Sequence, residues 1–115
     1  MRTNFNMEYQ NITMIKGDTL SFNAQVFDDE GDPVTITDAY MTCKKIPTAN
    51  VNVFQKALGS GITQDEDGLI TVRVAPEDTV EAEAGQYFYD FVICVDEDVF
   101  TIMIGTLSLE QDVTF

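Results

Sequence analysis

The chain has 115 residues and a mass of 12.8 kDa, enough for one domain with a real core. Twenty acidic residues against six basic ones give a net charge of −14, and histidine and tryptophan are both absent. Without histidine there is no Ser-His-Asp triad, no Cys-His pair and no His-ligated zinc, and the strong acidity argues against nucleic acid and anionic membranes, whose binding rests on Lys and Arg.

Residues 1–8 read as an N-terminal arm of a single domain that spans 1–115. The arm lacks the apolar stretch of a signal peptide, and no run approaches the roughly 20 apolar residues of a membrane helix. Asn11-Ile12-Thr13-Met14-Ile15 alternates polar and apolar residues and stops at Lys16-Gly17-Asp18. From Thr19 to Phe27 the alternation is clean, with Leu20, Phe22, Ala24 and Val26 on one side. Period two over that length predicts a strand with one wet face. Asp28-Asp29-Glu30-Gly31-Asp32-Pro33 is a turn by composition. A short extended piece at 34–37 and a strand over 39–46, closed by Pro47, follow.

The middle of the chain is less patterned. One short strand is predicted around 53–56, and the glycine-rich Leu58-Gly59-Ser60-Gly61-Ile62 reads as a loop or bulge. Asp65-Glu66-Asp67-Gly68 is a turn. A strand over 69–74 puts Ile70, Val72 and Val74 on one face. A short helical turn near 76–81 is predicted from Pro76 at a first helical position and from Glu77 and Asp78 in the first turn, where the helix dipole favours acids.

The last third is the most apolar. Over 86–95, Tyr87, Tyr89, Phe91, Ile93 and Val95 alternate with Phe88, Asp90, Val92 and Cys94. Asp96-Glu97-Asp98 turns the chain into a partner strand over 99–109. A two-residue loop at Glu97-Asp98 would pair Val95 with Phe100 and bring Phe100, Ile102 and Ile104 to the tyrosine side. Leu107 and Leu109 have the opposite parity, so a bulge is expected, and Gly105 is the residue to host it. About seven short strands with regular turns predict an antiparallel β-sandwich. Ala84-Gly85-Gln86-Tyr87-Phe88-Tyr89-Asp90 suggests a tyrosine corner at Tyr87, entered through Gly85, in which the hydroxyl folds back onto upstream backbone. The plainer reading makes both tyrosines amphipathic core-edge residues.

Candidate sites are few. The acidic turns at 28–32, 65–67 and 96–98 invite a calcium reading. The positions five before Gly31 and Gly68 are Val26 and Thr63, so neither turn has the EF-hand register, and solvated turn acids are the preferred reading. No catalytic, cofactor-binding or metal-ligating residues are assigned: Gly59-Ser60-Gly61 is not a nucleophile elbow, and no phosphate-binding glycine loop is present. Cys43 and Cys94 each sit in a strand, as two buried thiols or as an intersheet disulfide. The final hairpin is apolar on both faces. Its outer face would present Phe88, Val92, Val99 and Met103, a patch of the kind that marks an interface. Otherwise it is covered by the segment at Phe5, Met7 and Tyr9 or by the loop over 51–54.

The run over 12–114 resembles the immunoglobulin-like N-terminal domain of tailed-phage upper baseplate proteins, and the small prophage proteins built from that domain alone. The resembling pieces are Ile12-Thr13-Met14-Ile15-Lys16-Gly17-Asp18-Thr19, Ala75-Pro76-Glu77-Asp78-Thr79, Gly85-Gln86-Tyr87-Phe88-Tyr89-Asp90 and Asp112-Val113-Thr114. The resemblance implies an immunoglobulin-like sandwich that is a virion component, without cofactor or catalytic residues. The expected partners are other virion proteins, met through strand edges and apolar sandwich faces, with a symmetric homo-oligomer and no small-molecule substrate. Baseplate proteins of this kind continue into a long C-terminal region that this sequence does not contain, which leaves tail, capsid-decoration and head-fibre placements open. The alternative is an immunoglobulin-like module for carbohydrate or calcium.

Overall fold

The computed structural model describes residues 7–111, so Phe5 and residues 112–114 lie outside the described part. Its strands are β1 (Glu8–Tyr9), β2 (Ile12–Ile15), β3 (Leu20–Ala24), β4 (Asp38–Lys44), β5 (Phe54–Leu58), β6 (Gly61–Gln64), β7 (Ile70–Val74), β8 (Gly85–Val95) and β9 (Asp98–Glu110), with one short helix, α1 (Pro76–Thr79). They form one curled sheet in the order β1-β9-β8-β4-β5-β6-β7-β3, with β2 also on β9. The sheet folds over between β5 and β6, so that β6, β7 and β3 face the inner side of β9, β8, β4 and β5. The result is an all-β, immunoglobulin-like sandwich. Most pairings are antiparallel, but β1 and β2 run parallel to β9, and β5 meets β6 in parallel over two residue pairs.

The core follows from the alternation. Ile70, Val72 and Val74 are fully buried, as are Ala39, Met41 and Cys43 on β4 and Phe91 and Ile93 on β8. Tyr87, Tyr89 and Val95 complete the inner face of β8. Phe22 of β3 meets Phe91 edge-on across the two layers, with ring centroids 6.0 Å apart, a geometry aromatic pairs favour. Val34 and Ile36 are buried without being strand residues. Gln64 holds them: its Nε2 donates to the Val34 carbonyl at 2.8 Å, and its Oε1 accepts the Ile36 N–H at 3.0 Å.

Four expectations are corrected. The glycine-rich stretch around Gly59 contains the start of β6, because a tight turn (Ser60 N–H to the Ala57 carbonyl, 2.8 Å) carries the chain from one layer to the other. The last hairpin turns at Asp96-Glu97, with Val95 opposite Asp98, and Asp96 takes the left-handed φ of 54°. Phe100 still falls on the core side, now opposite Ile93. The bulge of β9 lies at Ile102, where the register shifts between Phe91 and Val92. That single residue reverses parity early: Met103 turns inward opposite Phe91 and packs against the core, while Ile104 turns outward opposite Asp90.

Gly105 serves another purpose. A Cβ there would stand 1.9 Å from the Gln10 carbonyl oxygen. Its absence lets the link between β1 and β2 lie against β9, where Gln10 N–H donates to the Ile104 carbonyl at 2.9 Å and Tyr89 donates its hydroxyl to the Gln10 carbonyl at 2.7 Å. The helix α1 is shorter than its predicted span. Asp78 Oδ2 accepts the Ala75 N–H at 2.7 Å and pairs with Lys56 at 2.7 Å. Thr79, fully buried, accepts the Gly17 N–H at 2.9 Å and ties the turn before β3 to the helix.

Candidate interaction surface and groove

Three surface features stand out in the sequence: the acidic turns, the outer face of the last hairpin and the tyrosine corner. The acidic turns at 28–32, 65–67 and 96–98 connect β3 to β4, β6 to β7 and β8 to β9, which places them at one end of the sandwich. Gln25 Nε2 donates to the Asp67 carbonyl at 3.0 Å, and Thr37 N–H donates to the Cys94 carbonyl at 2.8 Å, so the three loops are laced together.

Two of these turns are built alike. Asp28 Oδ1 accepts the N–H groups of Glu30 and Asp32 at 2.9 and 3.0 Å. Asp65 Oδ1 accepts those of Asp67 and Leu69, both at 2.9 Å. In each, the glycine three residues on takes positive φ, 86° at Gly31 and 88° at Gly68, which closes the loop without strain. Oxygens of Asp28, Glu30 and Asp32 lie within 4.8 Å of one another. The first of these aspartates already serves the turn backbone, which accounts for its position without a cation.

On the outer face of β8 the four candidate interface residues do not act together. Phe88 and Val92 are half-buried, Val99 is 66% exposed opposite Cys94, and Met103 is on the inner face. Val92 lies beside Tyr40 of β4, whose hydroxyl donates to Asp38 Oδ2 at 2.6 Å. Both proposed covers flank this face: Tyr9 and Asn52 line a groove together with Phe88, while Phe54 is buried in the core.

That groove was not legible in the sequence. It has a volume of about 660 Å³ and runs across β9, β8, β4 and β5, with Asp90, Thr42, Gln55 and Ile104 in its floor and walls. Burial raises the Asp90 carboxyl above its usual range, and the nearby Lys44 ammonium partly opposes the shift. Lys44 closes β4, which is paired on both sides, and Lys45 Nζ sits 4.7 Å from the centre of the Tyr87 ring.

Tyr87 is buried, and its hydroxyl donates to the Glu83 carbonyl, four residues upstream, at 2.6 Å. That is the geometry of a tyrosine corner. Gly85 opens β8 with φ of 149°. Tyr89 takes the inward place two residues on, where burial pushes its hydroxyl up to about 12. Both cysteines are free thiols. Cys43 is on the inner face, where burial pushes its pKa up to about 12. Cys94 is half-buried on the outer face, five residue pairs away along the β4–β8 ladder, so neither an intersheet bridge nor a second buried thiol describes the pair. Among the described residues, no helix is long and apolar enough to cross a membrane.

No protein-family model matches the chain, and no curated protein matches it. Among solved structures, the chain is similar to part of a family 123 glycoside hydrolase from Clostridium perfringens, studied for glycolipid glycan hydrolysis. The identity is 14% and the TM-score 0.42, over 95% of this chain and 24% of that one. The chain thus spans about a quarter of that protein's length, and a likeness this distant transfers no activity.

Proposed function

We propose that this protein is a non-enzymatic assembly module of a tailed-phage or prophage particle, joining other virion proteins through the outer face of the β9-β8-β4 sheet. The supporting observation is Val99, 66% exposed beside half-buried Val92 on a face whose neighbouring strands are already paired. An apolar side chain on a rigid sheet offers contact area at little ordering cost. The likeness at 12–19, 75–79 and 85–90 to phage baseplate domains supplies the setting, and a homo-oligomer on the same face fits symmetric particle assembly.

The test is incorporation. Particles induced from the host that encodes the chain should carry it, read by immunogold electron microscopy with an antibody to the chain. Val99→Asp should lower its copy number in particles about tenfold, the loss expected when one buried apolar contact worth about 1.4 kcal/mol is removed. Particles without label would end the proposal.

A further inference from the structure

The groove on the outer sheet has a chemistry that the assembly reading does not use. One wall is Tyr9, which is 75% exposed while its backbone is held by β9. β1 pairs Tyr9 with Ile104, and the next residue bonds to β9 backbone. A large ring left unburied on a strand whose backbone is anchored is an available stacking surface. Across from it, polar groups are oriented by their own hydrogen bonds. Gln55 Nε2 donates to Thr42 Oγ1 at 2.9 Å, which leaves the Gln55 carbonyl to accept and the Thr42 hydroxyl to donate. Thr106 gives its hydroxyl proton to Asn11 Oδ1 at 3.0 Å, which leaves its oxygen to accept.

Charge narrows the ligand. Among the described residues, Asp90 is the single carboxylate lining the groove and Lys44 its single cation, so their formal charges cancel in a chain of charge −14. A basic peptide would meet Lys44, and a polyanion would meet Asp90 and the field of the whole chain. The fitting ligand is uncharged, with an apolar face for the ring and an edge rich in hydroxyls for the carboxylate, amide and threonines. The volume of about 660 Å³ falls inside the range of small-molecule sites. We infer that the groove binds a neutral oligosaccharide, with Tyr9 stacked on a sugar face and Asp90, Gln55 and Thr42 hydrogen-bonding its hydroxyls.

The experiment is an amide NMR titration of the full chain with cellotetraose, maltotetraose and chitotetraose, and separately with a short arginine-rich peptide. At least one sugar should shift the amides of residues 42–44, 55, 88–90 and 104–106, with a Kd of about 1 mM. Tyr9→Ala and Asp90→Asn should each weaken that binding about tenfold while circular dichroism stays unchanged. Tyr9 is exposed, so its loss removes the ring without touching the core. Silence from all three sugars, or shifts of those amides by the peptide alone, would overturn the inference. The isolated chain is the only protein required, so the outcome does not depend on whether particles carry it.

Discussion

Asp90 shows how one side chain is governed by its neighbours. It alternates outward on β8, opposite Thr42 and Ile104, and its partial burial disfavours the ionised form. A carboxyl whose pKa is raised by folding holds its proton more tightly in the folded state. Its contribution to stability is therefore full below the ordinary value of 3.8 and is lost as the pH rises through the folded value. At neutral pH the charged group is a net cost, eased by Lys44. Asp90→Asn should accordingly raise the thermal midpoint at neutral pH, and the gain should shrink as the pH approaches 3.8. Melting curves across that interval decide it; a variant less stable at neutral pH would show that Lys44 attraction outweighs burial.

Among the elements, the docking of β1 and β2 against β9 depends most on one position. The Gln10 carbonyl occupies the space a side chain at Gly105 would fill. Gly105→Ala must push the β1–β2 link away, breaking the Gln10–Ile104 backbone bond and the Tyr89 hydroxyl bond to Gln10. The expected loss is about 2–3 kcal/mol, the sum of two hydrogen bonds and a buried hydroxyl left without a partner. Equilibrium denaturation should report it, together with faster hydrogen exchange at the Gln10 amide. A change under about 0.5 kcal/mol, the range of an ordinary surface substitution, would show that the link is not held there. The same element explains the groove: β1 delivers Tyr9 to it, and no local pattern at Glu8-Tyr9 announces a strand of two residues.

The molecule as a whole is electrostatically lopsided. Three acidic turns, at 28–32, 65–67 and 96–98, share one end without a lysine or arginine among them. Their repulsion opposes folding and is screened by salt, since the Debye length falls from about 30 Å at 0.01 M to about 8 Å at 0.15 M ionic strength. Sodium chloride over that range should raise the melting temperature. Calcium at matched ionic strength should add nothing further, because Asp28 and Asp65 are engaged by turn amides. A calcium-specific rise would convert the Asp28, Glu30 and Asp32 cluster into a cation site.

Much of this architecture is local and therefore readable in the chain. Alternation along β8 assigned Tyr87, Tyr89, Phe91 and Ile93 to the core, because side-chain direction in a strand has period two whatever the partner. The Asp-x-x-Gly turns are equally local, since aspartate and glycine close the loop through bonds within five residues. The β-bulge is not local. Leu107 and Leu109 required one extra residue somewhere in β9, and glycine was the natural host, but a bulge accepts an ordinary L-residue and the register placed it at Ile102. Gly105 was needed instead by backbone 95 positions away, a contact that exists only once β1 lies on β9. The fate of Met103, the groove around Asp90 and the gathering of the acidic turns all follow from such long-range pairings, which strand periodicity does not encode.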